Sequence, residues 1–310
     1  MKWVLKAATQ KGLSALPHSQ DANYLLQYRV TKTLPRGDRA FRRKVERAFQ
    51  HYEAFAARSP RDPSEATFYE FGTGWDLVVP LAYYALGVNS QILIDIQPNV
   101  RPPLVNDTIN RFTRLQPELE SFAERSLRSL GDADITSHRD FSIRFGMDYR
   151  APVDARDTGL TEASIDFVSS TNTLEHIPEA DITLILAECR RILRSDGSMS
   201  CRIDLRDHYS YFDPSVSTYA FLTRSDVQWR LANSSLHFQN RLRRPDYLTM
   251  FDAAGFDIVE EHSAAPTAAD LDFLRHARLA PRFRCYAPED LGVKSMAVVA
   301  RPRNRFPAAA

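Results

Sequence analysis

In the stretch EFGTGWD, residues 70–76, Glu70 stands two positions before Gly72, and Gly74 follows after one more residue. Glycines at that spacing permit a tight turn and let a ligand come close to the backbone at the carboxyl end of a strand. Asp95 lies 21 residues beyond Gly74, about where an acid that hydrogen-bonds ribose hydroxyls is expected. The third glycine of a dinucleotide fingerprint is missing, and Asp76 occupies its place. Aspartate there is a good helix N-cap, but its charge would repel a pyrophosphate held by the same amides. The stretch therefore suits a nucleoside whose charged end is an amino acid better than a nicotinamide dinucleotide.

Two histidines offer proton chemistry near neutrality. His208 lies in DLRDHY, residues 204–209, beside Asp207 and close to Asp204, and it is the first choice as a base. His176, in LEHI at residues 174–177, is the second choice, and a capping or packing role suits it better. Asp204, Asp207 and His208 also raise the question of a metal. Neither HxH nor HExxH occurs and no matching carboxylate and Asn set is evident, so no metal is expected.

These residues need strand ends to carry them. Residues 67–71 and 91–95 read as strands separated by one apolar helix, a βαβ unit that requires a parallel sheet covered on both faces. A weak strand before Asp154, then residues 164–170, 199–205, 256–261 and 295–300, bring the number to seven. Residues 179–194 read as a helix ended by Asp196-Gly197, with acids at its positive end and Arg190, Arg191 and Arg194 at its negative end. Residues 99–146 are mostly helical and longer than a plain crossover needs, so they read as an insertion. A helix over 246–254 precedes the 256–261 strand, and an irregular stretch separates that strand from the last one.

Residues 206–244 interrupt the alternation with Tyr209, Tyr211, Phe212, Tyr219, Phe221, Trp229 and Phe238, and read as an aromatic lid. Trp229 and Phe238 belong to a small core of its own, whereas Tyr209, Tyr211 and Phe212, nearest the fifth strand, are expected to touch substrate. Ahead of the sheet, residues 38–59 place Phe41, Val45, Ala48/Phe49, Tyr52 and Phe55/Ala56 at helical spacing. Arg39, Arg42, Arg43, Lys44 and Arg47 lie mostly off that stripe. The expected organisation is a helical cap over 1–63 and one doubly wound α/β domain over 64–310.

In order along the chain, EFGTGWD at 70–76, LID at 93–95, VDAR at 153–156, IDFVSSTNTLEHI at 165–177 and RSDGS at 194–198 resemble a class I S-adenosylmethionine-dependent methyltransferase of the methyltransferase domain 11 type. The resemblance covers residues 64–205 well and 245–300 loosely. It implies a Rossmann-like seven-stranded, mostly parallel sheet with an antiparallel last strand. It implies S-adenosylmethionine as cofactor, leaving as S-adenosylhomocysteine. Glu70, Gly72 and Gly74 would meet the methionine end and Asp95 the ribose. Asp154 and Ala155 match the family's adenine-binding pair, although Asp157 is an alternative to Asp154. Thr171 and Asn172 would line the methyl-transfer opening. The TNTLE run after the fourth strand is unlike the Asn/Asp-Pro-Pro-aromatic motif of DNA amino-methylating relatives, and no basic stripe interleaved with aromatics appears. Nucleic acid is therefore not the expected acceptor.

The formal net charge of +1 hides a division: residues 1–63 hold 13 Lys/Arg against 5 Asp/Glu, and residues 64–310 hold 27 against 34. A basic cap before an acidic core favours an anionic acceptor if the cap borders the site. No apolar run is long enough to span a bilayer or to serve as a signal peptide, and three cysteines without CxxC spacing fit a reducing cytoplasm. The expected function is methyl transfer to a small-molecule or glycan acceptor, at oxygen, with a histidine as base. A catalytically silent cofactor-binding scaffold and, further off, a nicotinamide-dependent enzyme are the alternatives.

Overall fold

The structure, a computed structural model, describes Tyr24, residues 34–235 and residues 238–303. Most of the expected cap, residues 1–33 apart from Tyr24, lies outside the described residues. In chain order the first half comprises α1 (Asp38–Ala56), β1 (Thr67–Phe71), α2 (Val78–Ala85), β2 (Ser90–Ile94), α3 (Pro102–Ala123), α4 (Arg139–Phe145), β3 (Met147–Arg150) and β4 (Ile165–Thr171). The second half comprises α5 (Glu179–Ile192), β5 (Leu193–Asp204), α6 (Asp226–Ala232), α7 (Arg244–Ala253), β6 (Phe256–Ser263), α8 (Ala268–His276), α9 (Pro288–Leu291) and β7 (Ser295–Pro302).

Side-chain alternation dictates cover on both faces of the sheet. In β1, Phe68 packs into one core while Tyr69 and Phe71 pack into the other; in β4, Phe167 and Val168 divide in the same way. The first core is closed by α1, α2 and α3, and the second by α5 and α7. Phe55 of α1 shows how firmly the first is joined: it is fully buried, with its ring edge-on to Phe68 at 4.7 Å and to Phe167 at 5.6 Å. Truncating it to alanine should cost about 3–5 kcal/mol. The α1 stripe runs as expected except at its end, where Ala54 is buried and Ala56 is exposed.

The sheet order is β3-β2-β1-β4-β5-β7-β6. Its first five strands are mutually parallel, and β7 runs antiparallel between β5 and β6. This is the doubly wound, seven-stranded arrangement expected from the sequence. The order reverses between β1 and β4, so the place for a ligand is beyond the carboxyl ends of those two strands.

Three boundaries differ from expectation. The helix over 179–194 stops at Ile192, and β5 starts at Leu193 rather than Met199, because Leu193 already pairs with Ile165 before a register shift carries the strand past Gly197. Residues 99–146 are the β2-to-β3 connection, and the buried face of α3 (Leu104, Val105, Ile109, Phe112, Leu115, Leu119) completes the first core. The stretch expected to be irregular after β6 contains α8 and α9, and α8 opens on a capping box between Thr267 and Asp270.

Residues 206–244 form a third core with this C-terminal segment: Tyr209, Tyr219, Phe221, Leu222 and Trp229 pack with Leu274, Phe283 and Leu291. Arg243 is wholly buried beneath it and donates to the carbonyls of Leu205, Leu291 and Val293 at 2.6, 2.7 and 2.6 Å. Among the described residues no helix is long and apolar enough to cross a membrane.

Candidate active site

The glycine loop after β1 is shaped by two positive-φ residues, Gly72 at +74° and Gly74 at +75°. A Cβ on Gly72 would lie 2.3 Å from the side chain of Thr173, so the loop touches the segment after β4 at the switch point. A Cβ on Gly74 would meet nothing within 4 Å, which leaves its backbone open to a ligand. Glu70 is 3% exposed, and its Oε2 is buried without a hydrogen-bond partner. Burial pushes its carboxyl up to about 8, against the pull of Lys44. Asp95, just past β2, accepts from the Gln97 backbone amide at 3.1 Å and from Asn99 Nδ2 at 3.4 Å. Burial pushes it up to about 6, while the amides of Gln97, Gly74 and Ile96 work the other way.

Asp76 is balanced from α1. Lys44 Nζ donates to both of its carboxylate oxygens, at 2.7 and 2.9 Å. Burial alone would raise Asp76, but the Lys44 charge and hydrogen bonds outweigh it and hold the group below its ordinary value. The charge that seemed ill placed in a ligand loop is thus neutralised by a residue that sequence spacing could not connect to it. The carboxylate also accepts from the Val78 amide at the start of α2.

Asp154 lies farther out. It is partly exposed and accepts from the backbone and guanidinium of Arg156, which also pairs with Asp181 at 2.6 Å. Ala155 packs against the second core. An open glycine backbone, a buried carboxyl with an unmatched oxygen and an acid at the tip of β2 fit a cofactor with a cationic amino-acid end and a ribose. Glu70, Gly72, Gly74 and Asp95 would hold it.

The ends of β4 and β5 carry the other half of the site. Thr171 Oγ1 lies 3.1 Å from His51 Nε2, and His51 Nδ1 lies 2.7 Å from Ser200 Oγ. Burial, with Arg202 and Arg47 nearby, pushes His51 down to about 3, so it stays neutral. Asn172 adopts φ +55°, and its Oδ1 is buried without a partner. The LEHI stretch forms a single 3-10 turn, Leu174–His176. His176 Nδ1 donates to the Phe238 carbonyl at 2.7 Å, and its ring lies 4.9 Å from that of His208. His208 Nε2 is 3.9 Å from Asp204 Oδ2. Asp204 in turn accepts from Arg206 at 2.9 Å and from the Tyr211 hydroxyl. Burial lowers both imidazoles, His208 to about 4.

The structure brings His176 and His208 together and separates the other expected partners. Asp207 accepts from the Tyr209 amide at 2.9 Å, capping its own turn, and Asp204 is the carboxylate near His208. Tyr209 is 5% exposed in the third core, and its hydroxyl donates to the Ala232 carbonyl. Tyr211 and Phe212 are about half exposed, at 50% and 48%. Sequence reasoning overlooked Lys44, His51, Glu175 and Asn240. Asn240 donates to the carbonyls of Leu174 and Ile177 and so fixes the turn that carries Glu175 and His176.

A family profile described as "Methyltransferase domain" matches residues 39–261. No curated protein matches the sequence. Solved structures similar to the chain include a candidate methyltransferase of Haloferax volcanii in complex with the Trm112 activator, at 15% identity and TM-score 0.44, covering 87% of this chain and 95% of that one. They also include the geranyl diphosphate C-methyltransferase of Streptomyces coelicolor A3(2), at 9% identity and TM-score 0.44, covering 86% and 84%. A third is a methyltransferase of Methanosarcina mazei, at 12% identity and TM-score 0.44, covering 81% and 97%. Since the family profile spans most of the chain, the chain belongs to the methyltransferase-domain family, as a class I S-adenosylmethionine-dependent enzyme.

Proposed function

We propose that this enzyme methylates oxygen on a small-molecule or glycan acceptor, and that the acceptor's proton is lost at the His176–His208 cluster. The observation that carries this reading is the pair of imidazoles 4.9 Å apart beside Asp204, past the carboxyl ends of β4, which pairs with β1, and of β5 beyond it. When bound, S-adenosylmethionine supplies an electrophilic methyl carbon on a sulfonium and leaves as S-adenosylhomocysteine. Displacement at such a carbon needs alignment and exclusion of water more than a strong base. Glu70, Gly72, Gly74 and Asp95 would fix one partner, with Asp154, Ala155, Thr171 and Asn172 at its margins. Tyr211, hydrogen-bonded to Asp204, and the next residue Phe212, both half exposed, offer aromatic faces to the other. His208, held neutral by burial, keeps a ring-nitrogen lone pair at the cluster where the hydroxyl proton is lost.

An anionic acceptor is favoured by two arginines. Burial and the neighbouring charge of Arg202 hold Arg47 of α1 below its ordinary range, and burial also lowers Arg202 in β5. Asp204 offsets part of both costs, and an anionic acceptor beside the two would offset more. On this reading α1 caps the acceptor side, and the enzyme works in a reducing, cytoplasmic setting.

The test is calorimetric binding of S-adenosylhomocysteine followed by methyl transfer to a panel of phenols, sugars and hydroxy acids. Asp95→Ala should weaken binding by about tenfold to a hundredfold, and products should be ethers. Absence of binding to the intact protein, or methylation at nitrogen or carbon alone, would overturn the proposal.

A further inference from the structure

The metal set weighed from the sequence, Asp204 with Asp207 and His208, is not the set the fold assembles. Asp207 turns away to cap the His208–Tyr211 turn. In its place the turn after β4 brings Glu175 and His176 against His208, with one ligand atom from each lying within 4.8 Å of the others. A tetrahedral divalent ion with bonds of 2.0–2.2 Å needs its ligand atoms about 3.4 Å apart. Side-chain rotations of about 1 Å close that difference.

Glu175 supplies the second, independent observation. It is 1% exposed; its Oε1 accepts from the Asp204 amide at 3.3 Å, and its Oε2 is buried with no hydrogen-bond partner. A buried carboxylate oxygen left unmatched is costly unless a cation or donor completes it. His176 is already oriented as a ligand would be. Because the Phe238 carbonyl can only accept, Nδ1 carries the proton and Nε2 the lone pair. A backbone carbonyl on the far nitrogen is the usual outer partner of a ligating histidine. The turn itself is pinned by Asn240 and by the Asn240 amide, which donates to the Glu175 carbonyl at 2.8 Å. Asp204 Oδ2, 3.9 Å from His208 Nε2, already accepts from Arg206 and the Tyr211 hydroxyl and borders the set as a further negative charge.

We propose that Glu175, His176 and His208 bind a divalent transition-metal ion. Two imidazoles and one carboxylate select zinc, cobalt, iron or nickel over magnesium, which prefers oxygen ligands and water. The inference rests on methylation at oxygen and specifies how the cluster does it. An acceptor hydroxyl on the metal loses its proton to solvent on coordination, and the alkoxide is held where the methyl arrives. His208 is then a ligand, and no imidazole base is needed.

The experiment uses the full-length protein, stripped with chelator and titrated with Co2+. One equivalent should give visible ligand-field bands, which Zn2+ abolishes by displacement and Mg2+ leaves unchanged. Glu175→Gln and His208→Asn should each weaken Co2+ binding by about 1,000-fold or more, beyond the roughly 10–100-fold cost typical of an outer partner. Cys285→Ser should leave the bands intact, because that exposed thiol lies outside the set. S-adenosylhomocysteine binding is measured on every sample. Its retention shows that the protein is folded and separates failure of the metal site from failure of the methyltransferase reading. Folded protein that binds S-adenosylhomocysteine but gives no bands, or bands that persist in the His176→Ala/His208→Asn double variant, would overturn the assignment.

Discussion

Beyond β1 and β2 the site is mostly backbone, two glycines at positive φ with buried acids behind them. Beyond β4 and β5 it is made of side chains, whose orientations are set by the Phe238 carbonyl, Gln239, which accepts the His208 amide, and Asn240. The first half should therefore be sensitive to any added Cβ and to the charge state of one carboxyl. The second should be sensitive to the loss of a side chain anywhere in a set drawn from distant segments. On the proposed assignment, the residues that would bind the cofactor lie close together in sequence, and those that would meet the acceptor are assembled across the fold.

The sharpest break in that contrast is Gly72→Ala. The clash with Thr173 and the strain at φ +74° should reduce S-adenosylhomocysteine affinity by about 100-fold and lower the melting temperature. Gly74→Ala, with space around it, should weaken binding while remaining closer to the parent in stability. Equal melting temperatures for the two would mean that the loop does not lean on the β4 end.

Glu70 comes next. Its folded-state value of about 8 lies above the unfolded 4.5, so the folded chain holds a proton that the unfolded chain releases. Stability is therefore fully present below about 4.5 and falls as pH rises toward 8. Glu70→Gln should raise the melting temperature by several degrees at pH 8 and leave it little changed at pH 4.5. Binding should respond in the opposite way: if the ionised carboxylate meets a cationic amino group, affinity for S-adenosylhomocysteine rises with pH through about 8 and flattens in the Gln variant. A parent profile as flat as the variant's would remove Glu70 from the ligand.

A smaller effect tests the bridge from α1. Lys44→Met should weaken binding by about threefold to tenfold, and adding Asp76→Asn should restore most of it, since a buried charge left without its partner is what costs. Additive losses would show that Lys44 and Asp76 act separately. The smallest effect is expected at Asp154, already engaged by Arg156 at the surface. Asp154→Ala should change binding by less than about threefold, the scale of an exposed pair.

Much of the first half was legible because its signals are local. The Gly-x-Gly spacing, an acid two residues ahead and a second acid at the end of the next strand all lie within one βαβ unit, and β1, β2 and β4 fell within a residue or two of their expected limits. The start of β5 was missed because Asp196-Gly197 resembles a helix stop, whereas pairing of Leu193 with Ile165 continues the sheet. The helix after β6 did carry a signal, Thr267 three residues ahead of Asp270. The acceptor side was far less legible. Lys44 meets Asp76 across 32 positions, and His51 meets Ser200 across 149. Glu175 looked like an ordinary member of LEHI until the fold placed it beside His208. Proximity in sequence also misled: Asp207 adjoins His208 yet serves the Tyr209 amide.

Arg243 has a consequence for how the molecule opens. Its guanidinium holds three carbonyls drawn from the end of β5, from α9 and from the run into β7, so segments far apart in the chain share one fastening. In hydrogen exchange the amides around Leu205, Leu291 and Val293 should then open together, in one cooperative event close to global unfolding. Arg243→Met should split that event and let residues 206–235 and 268–291 exchange ahead of the sheet.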